Sequence, residues 1–225
     1  MLHVYAHDFG LYLAIGAVLQ LPLAVALVVL PVPEVATLNI LAVPIGAAAI
    51  MYAARQRRSG REVGVLSAYL DASPRLLKIL LFGLMVAVVG VVGQMIFGIL
   101  YAGVLFLLLA TYLGVKLFAV VPGLLFDTDG ISPAIQRSWR LVAGRWWRAA
   151  LPLAVLALVE VMGISGLVLA SWGAQAGGSA LGLPEGVLWV ALLVPGLGVP
   201  LLIYPVWALG VYLLYLDFVS PTGNP

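Results

Sequence analysis

The sequence has 225 residues, of which 64% are hydrophobic and 9% are charged. A typical soluble domain is about half apolar and about a quarter charged, so this composition excludes a water-soluble globular domain. Eleven Lys and Arg against nine Asp and Glu give a formal net charge of +2, which does not indicate a nucleic-acid-binding protein. The sequence therefore predicts one all-α domain, residues 1–225, that is a polytopic integral membrane protein.

Charge-free segments predict six transmembrane helices. The hydrocarbon core of a bilayer is about 30 Å thick, so one crossing needs about 20 apolar residues. The stretch 79–126 is too long for one crossing, and we expect it to turn back near residues 98–103. The first stretch is longer than the apolar region of a signal peptide and is interpreted as a retained span. The predicted spans are residues 9–30, 35–54, 76–97, 101–126, 148–170 and 187–216.

The positions of the basic residues predict the orientation. All eleven Lys and Arg lie in two windows, 55–78 and 116–148. Cytoplasmic loops of membrane proteins are enriched in Lys and Arg, so both windows are predicted to be cytoplasmic. With six spans, both termini are then cytoplasmic as well, in a multi-pass protein of the cell membrane.

Each basic window is also predicted to contain an amphipathic helix in the cytoplasmic interface, at residues 62–72 and 133–143. Ser132-Pro133 is typical of a helix start, with the serine as cap and the proline in the first turn. Gly144 is placed to end this helix. In the first window, Ser73-Pro74 is predicted to begin the third span.

Three polar side chains on three different spans are predicted to lie near the middle of the bilayer. At 1.5 Å per residue, Gln20, Lys116 and Glu160 lie about 15–18 Å from the predicted ends of their spans. A charge in hydrocarbon is costly, so Lys116 and Glu160 are expected to face the bundle interior and are candidates to pair. This arrangement fits a site for a substrate, an ion or a proton. It equally fits a pair that fixes helix register, or a lysine that extends to the interface.

The last predicted span contains three prolines between residues 195 and 205. Helices broken near the middle of the bilayer are used by transporters, because the freed backbone groups can bind ions. The alternative is a kinked helix whose carbonyls are satisfied by neighbouring helices.

No catalytic residue, cofactor or metal ion is predicted, and we expect a protein that is not an enzyme. The sequence has no cysteine, and its two histidines are His3 and His7. Their i, i+4 spacing places them on one helix face beside Asp8, where they could ligate a metal or a porphyrin-type cofactor, but the ligand set is incomplete.

The basic residues are also candidate contacts for anionic lipid headgroups, to which each contributes about 1 kcal/mol near the membrane surface. Orientation by the positive-inside rule explains the same residues without lipid recognition. The candidate headgroup contacts are Arg55, Arg57, Arg58, Arg61, Arg75, Lys78, Arg145 and Arg148.

One stretch of the sequence carries a family-like motif, formed by Pro122, Asp129, Gly130, Ser132, Pro133, Arg137, Ser138, Trp139, Arg140 and Leu141. It resembles the membrane domain of bacterial glycerophosphoryl diester phosphodiesterases and of related stand-alone six-span membrane proteins of uncharacterised function. The resemblance implies a compact six-helix membrane unit. The phosphodiesterase activity of the fusion proteins belongs to a separate soluble barrel of about 250 residues, for which we expect no room in this sequence.

Two functional hypotheses follow. The first is a non-enzymatic membrane module that acts as a lipid-interacting scaffold or as an accessory subunit of a membrane complex. Its partners are anionic lipids on the cytoplasmic side and another membrane protein, with no nucleic acid. The alternative is a small transporter or lipid-translocating protein that uses the polar residues in the middle of the membrane.

Overall fold

The computed structural model describes residues 7–29, 33–97, 100–128, 130–180 and 185–220. Every regular element within these ranges is an α-helix. In chain order the helices are α1 (Phe9–Val29), α2 (Pro33–Arg58), α3 (Val65–Phe97), α4 (Leu100–Leu117), α5 (Val120–Phe126), α6 (Ile131–Val142), α7 (Trp146–Ala180) and α8 (Glu185–Val219).

The core of the bundle lies around α2, which packs against α1, α3 and α8. Small residues at 46–49 of α2 are fully or almost fully buried, and small side chains allow helix backbones to approach closely. Two tyrosines connect the helices through hydrogen bonds. The Tyr69 hydroxyl of α3 donates to the Ile15 carbonyl of α1 at 2.6 Å, and the Tyr204 hydroxyl of α8 donates to the Val43 carbonyl of α2.

Within the described residues, four helical segments are long and apolar enough to cross a membrane, and a shorter apolar segment covers Phe9–Pro22. The four segments are Val65–Val89, Leu108–Phe126, Trp146–Gly163 and Leu201–Val219. The expected all-helical membrane protein is therefore confirmed at this level, and the count of six spans stays a prediction.

The separate interfacial helix predicted at 62–72 is wrong. α3 runs without interruption from Val65 to Phe97, with Pro74 inside it. A proline within a helix removes the hydrogen bond to the carbonyl four residues earlier, here that of Leu70. Leu70 and Pro74 are both exposed, so this carbonyl can be hydrated, and the helix continues instead of starting at Ser73-Pro74.

The predicted span 101–126 consists of two helices, because the chain turns at residues 118–119 between α4 and α5. The predicted span 148–170 lies within α7, which continues to Ala180. α8 is one helix from Glu185 to Val219. This agrees with the alternative of a single helix that contains the prolines, and not with a helix broken at them. At 1.5 Å per residue α8 is about 50 Å long, so it is tilted if it crosses a bilayer core of about 30 Å.

Candidate functional site

The break between α4 and α5 is held by one side chain of α6. Ser138 is completely buried, and its hydroxyl donates to the Lys116 carbonyl at 2.6 Å and accepts from the Ala119 amide at 3.3 Å. Helix ends leave backbone carbonyls and amides without partners. One hydroxyl satisfies a group on each side of the turn and so fixes α6 against the end of α4.

Lys116 lies in the last turn of α4, beside α6. Its Nζ is 5.4 Å from the ring centre of Trp139 and 5.8 Å from that of Tyr112. Cation–π contacts of this kind contribute about 0.5–1 kcal/mol at exposed sites. The sequence predicts that Lys116 lies near the middle of the bilayer if one straight helix runs to Phe126. Because the chain turns at 118–119, that distance along a single helix does not apply. Among the described residues, Lys116 and Glu160 do not form the candidate ion pair.

Glu160 lies on α7 and is exposed, so the expectation that it faces the bundle interior is wrong for the isolated chain. Gln20 of α1 is buried, with 9% of its surface exposed. A carboxylate in the middle of the hydrocarbon costs about 3 kcal/mol or more unless it is protonated, paired or hydrated. Gln20 is buried and Glu160 is exposed, so the two side chains lie in different environments. The structure does not bring Gln20, Lys116 and Glu160 together as one site.

α6 corresponds to the interfacial helix predicted at 133–143, with a different start. It begins at Ile131 after Gly130, whose backbone is extended (φ −146°), and no side chain caps it. Ser132 is exposed inside the first turn, so its predicted capping role is wrong. At the other end, Gly144 has φ +73° directly after the C-cap. This left-handed conformation is unfavourable for other residues, and the predicted helix stop is confirmed.

The buried face of α6 is a stripe at i, i+4 and i+8, formed by Ala134, Ser138 and Val142. Trp139 is 41% exposed and Arg140 is exposed. The hydrogen bonds of Ser138 explain this orientation of α6, because they require the serine, and not the tryptophan, to point inward.

The outer side of α6 carries a shallow, open groove. The groove is lined by two aliphatic or aromatic side chains and two polar ones: Ile135, Trp139, Gln136 and Arg140. All four residues belong to α6, so this groove is a shallow part of the helix surface, where apolar side chains lie beside a guanidinium that can bind an anionic group.

Other residues of the family-like motif support the position of α6. Arg137 forms an ion pair with Asp127 at 3.2 Å, which ties α6 to the end of α5. Pro122 is buried in α5, and Leu141 is half-buried on α6. Asp129 lies outside the described residues.

The candidate headgroup contacts divide into two groups. Arg57 lies 3.8 Å from Asp8, and Arg148 forms a bidentate pair with Asp217 at 3.0 and 3.1 Å. Arg75 and Lys78 are half-buried. Four of the candidates, Arg55, Arg58, Arg61 and Arg145, are exposed and form no ion pair within the described ranges. Arg140 of the family-like motif, which was not predicted as a headgroup contact, is exposed and unpaired in the same way, and these five residues are called the exposed arginine set.

Two members of the exposed arginine set have other contacts. The Arg55 guanidinium lies 4.6 Å from the ring centre of Phe126, and Arg61 donates to the Gln56 side-chain carbonyl at 3.4 Å. Neither contact neutralises charge. The set therefore leaves a net positive surface at the ends of α2 and α6.

Aromatic rings continue this surface toward α7. The rings of Tyr112 and Trp146 stack at 6.3 Å, and Trp147 meets Trp146 edge-on at 4.7 Å. Trp and Tyr are enriched where a membrane protein crosses the lipid–water interface, because their rings are apolar at one end and polar at the other. Tyr112 belongs to α4 and is separated from the two tryptophans by a long stretch of chain, so only the tertiary structure brings it beside them.

The N-terminal candidate ligands are only partly described. His7 Nδ1 lies 3.7 Å from Asp8, and His3 lies outside the described residues. In the part of the chain that the structure describes, no three His, Asp or Glu residues cluster as a metal site would require. Asp217, the partner of Arg148, was not found from sequence because nothing local connects residues so far apart.

Comparison with protein families, with curated proteins and with solved structures gives no match for this chain. The resemblance to the membrane domain of glycerophosphoryl diester phosphodiesterases therefore stays a prediction.

Proposed function

We propose that the protein is a non-enzymatic integral membrane module that binds anionic lipid headgroups on its cytoplasmic side and acts as a scaffold or accessory subunit. The observation that carries the proposal is the outer face of α6. A tryptophan and an arginine, Trp139 and Arg140, are exposed there beside a groove, while the opposite face is fixed by Ser138.

This face has the chemistry of an interfacial lipid contact. The indole ring of Trp139 fits the headgroup level, and a guanidinium forms short charge-assisted hydrogen bonds with phosphate. The exposed arginine set adds positive charge, and no acid of the described residues forms an ion pair with it. Each such residue near an anionic surface contributes about 1 kcal/mol.

The proposal includes six spans with both termini in the cytoplasm. α1 and α2 supply the first two crossings, since they have 21 and 26 residues. An even number of crossings places the ends of α2 and α4 and the start of α7, which carry the basic residues, on the same side.

The test is native mass spectrometry of the purified protein in mild detergent with equal amounts of phosphatidylglycerol and phosphatidylcholine. We expect preferential retention of phosphatidylglycerol. The double variant Arg140→Gln/Arg145→Gln should lower this preference by about fivefold or more for each charge removed, as about 1 kcal/mol per arginine implies.

The matched control is Arg137→Gln. It removes one charge from the helix that carries Arg140, but Arg137 is already paired with Asp127, so it should change lipid retention less than Arg140→Gln alone. Equal retention of both lipids, or equal loss in the control, would show that the arginines serve orientation alone. Because the sequence has no cysteine, Arg145→Cys also reports topology: it should react with an impermeant maleimide only from the cytoplasmic side.

A further inference from the structure

Two contacts establish how α7 and α8 lie against each other. Near the cytoplasmic ends, Arg148 of α7 binds both carboxylate oxygens of Asp217 of α8. Further along, a Cβ atom on Gly210 would lie 2.7 Å from Leu156 Cδ1, so these two residues are in close contact. Both contacts fit one antiparallel register, and this register places Glu160 level with residues 205–206 of α8.

The seam between the two helices is open at Glu160. Helical periodicity puts Glu160 on the same face of α7 as Leu153, Leu156 and Gly163, and these three residues are half-buried. Glu160 itself is exposed, and so is Val206 at the same level of α8, with 41% of its surface accessible. The carboxyl group therefore lies at a point where the packing of α7 on α8 is incomplete.

Glu160 is also far from the cytoplasmic surface. It is twelve residues beyond Arg148 on a continuous helix, which corresponds to about 18 Å at 1.5 Å per residue. In a hydrocarbon core of about 30 Å this is close to the middle. The neighbouring exposed side chains of α7 include Leu158, Val161 and Met162, which offer the carboxyl group no hydrogen bond.

The described residues supply no cation for Glu160. The sequence has no Lys or Arg after Arg148, and Lys116 lies against Trp139 and Tyr112. Across the described ranges, Glu160 forms no ion pair. A carboxylate at this depth costs free energy unless it is protonated, hydrated or paired with a cation, and pairing is the case that a partner helix can supply.

We propose that Glu160 is the contact point for a membrane-spanning helix of a different protein, one that carries a lysine or arginine near its middle. Such a helix covers the open seam and supplies the missing charge. A second copy of this chain is a poorer occupant, because a two-fold axis along the membrane normal places Glu160 opposite Glu160 and brings no cation to that depth. The inference rests on the proposed scaffold role and names the chemistry of its partner.

The open part of the molecule also offers the space for a helix. Only 11% of the residues in Trp146–Gly163 are buried within the chain. Membrane helices associate through close packing and hydrogen bonds because lipid tails are as apolar as the side chains. A buried charge pair therefore gives the contact a specificity that apolar packing alone lacks.

The test uses a synthetic Leu/Ala transmembrane helix with one central lysine, in bilayers of phosphatidylcholine only. Energy transfer between the labelled protein and the labelled helix measures association. We expect binding at least tenfold tighter than that of the same helix with leucine in place of lysine, and tighter than that of a helix with its lysine near one end. Because no anionic lipid is present, the result is independent of headgroup binding.

Protein variants complete the design. Glu160→Gln should remove the preference for the lysine-bearing helix, and Glu160→Asp should retain part of it. Met162→Gln changes another exposed side chain of α7 and should leave the preference intact. Since Glu160 is exposed, we expect the variants to fold, and an unchanged unfolding temperature checks this.

Two results would overturn the proposal. The first is equal binding of the lysine, leucine and end-lysine helices by the wild-type protein, which is measured without any variant. The second is association between labelled copies of the protein itself that Glu160→Gln abolishes, which would make a second copy the occupant.

Discussion

α7 and α8 are neighbouring antiparallel helices of 35 residues each, and they have opposite environments. Half of the residues in Leu201–Val219 of α8 are buried, against 11% in Trp146–Gly163 of α7. Both segments are apolar enough to cross a membrane. Apolar composition therefore does not decide which helix is central, because lipid tails solvate an apolar helix as well as other helices do.

The difference lies in how the two helices fit their neighbours. Tyr204 of α8 lies against Gly16 of α1 and Gly46 of α2, where any added Cβ would lie 3.3 and 2.8 Å from tyrosine atoms. The missing side chains make room for the ring, and its hydroxyl reaches the Val43 carbonyl. Within its described side chains, α7 shows no comparable large buried residue.

The largest effect should come from removing this tyrosine. Tyr204→Ala leaves a cavity among three helices and should lower the free energy of unfolding by about 3 kcal/mol or more. Trp172→Ala on α7 removes an even larger ring that is 67% exposed and should change stability by less than about 0.5 kcal/mol. Unfolding by SDS in mixed micelles measures both, and similar losses would contradict the contrast between the helices.

A smaller effect is expected where the two helices touch. Gly210→Ala places a Cβ within 2.9 Å of both Leu156 methyl groups and should destabilise the protein by about 1 kcal/mol. Gly166→Ala on α7 meets no atom within 4 Å and should stabilise the helix by up to about 1 kcal/mol. Adding Leu156→Ala to Gly210→Ala relieves the clash. If both glycine variants behave alike in the same unfolding assay, the close contact does not exist in the membrane.

The smallest effect concerns the ion pair that joins the helix ends. Arg148 and Asp217 are each close to half exposed, so Arg148→Gln should cost about 1 kcal/mol or less, and the loss should shrink at high salt. Arg145→Gln, which removes an unpaired charge nearby, should be close to neutral. The measurement is the unfolding midpoint of both variants at low and high salt, and a salt-independent loss would speak against an electrostatic cause.

Much of the secondary structure could be predicted from the sequence, and the errors have identifiable causes. α6 and its end at Gly144 follow from local signals. A glycine that follows a segment with helical hydrophobic periodicity can adopt the left-handed conformation that ends a helix. Ser-Pro pairs predicted the helix start at Ser132 and the start of the third span at Ser73, which separated the helix at 62–72 from that span. A Ser-Pro pair can lie in the first turn of a helix. It can also lie in the middle of a helix where the carbonyl that the proline leaves without a hydrogen bond is exposed to solvent.

The candidate site was harder to predict. Lys116 was placed in the middle of the membrane because its segment was counted as a single straight helix. The turn at 118–119 depends on Ser138, a residue 22 positions further along the chain, whose hydroxyl bonds both sides of the break. No local pattern shows that a serine will reach a distant helix end.

The sequence by itself determined that this is an all-helical membrane protein with basic residues in two windows, because bilayer thickness and the cost of charge in hydrocarbon act on every residue independently of its neighbours. Only the tertiary structure decided that α8 is central and α7 peripheral, that Lys116 lies beneath Trp139, and that Glu160 faces outward. Those outcomes depend on which surfaces fit together, and fit is a property of pairs of helices that no single segment encodes.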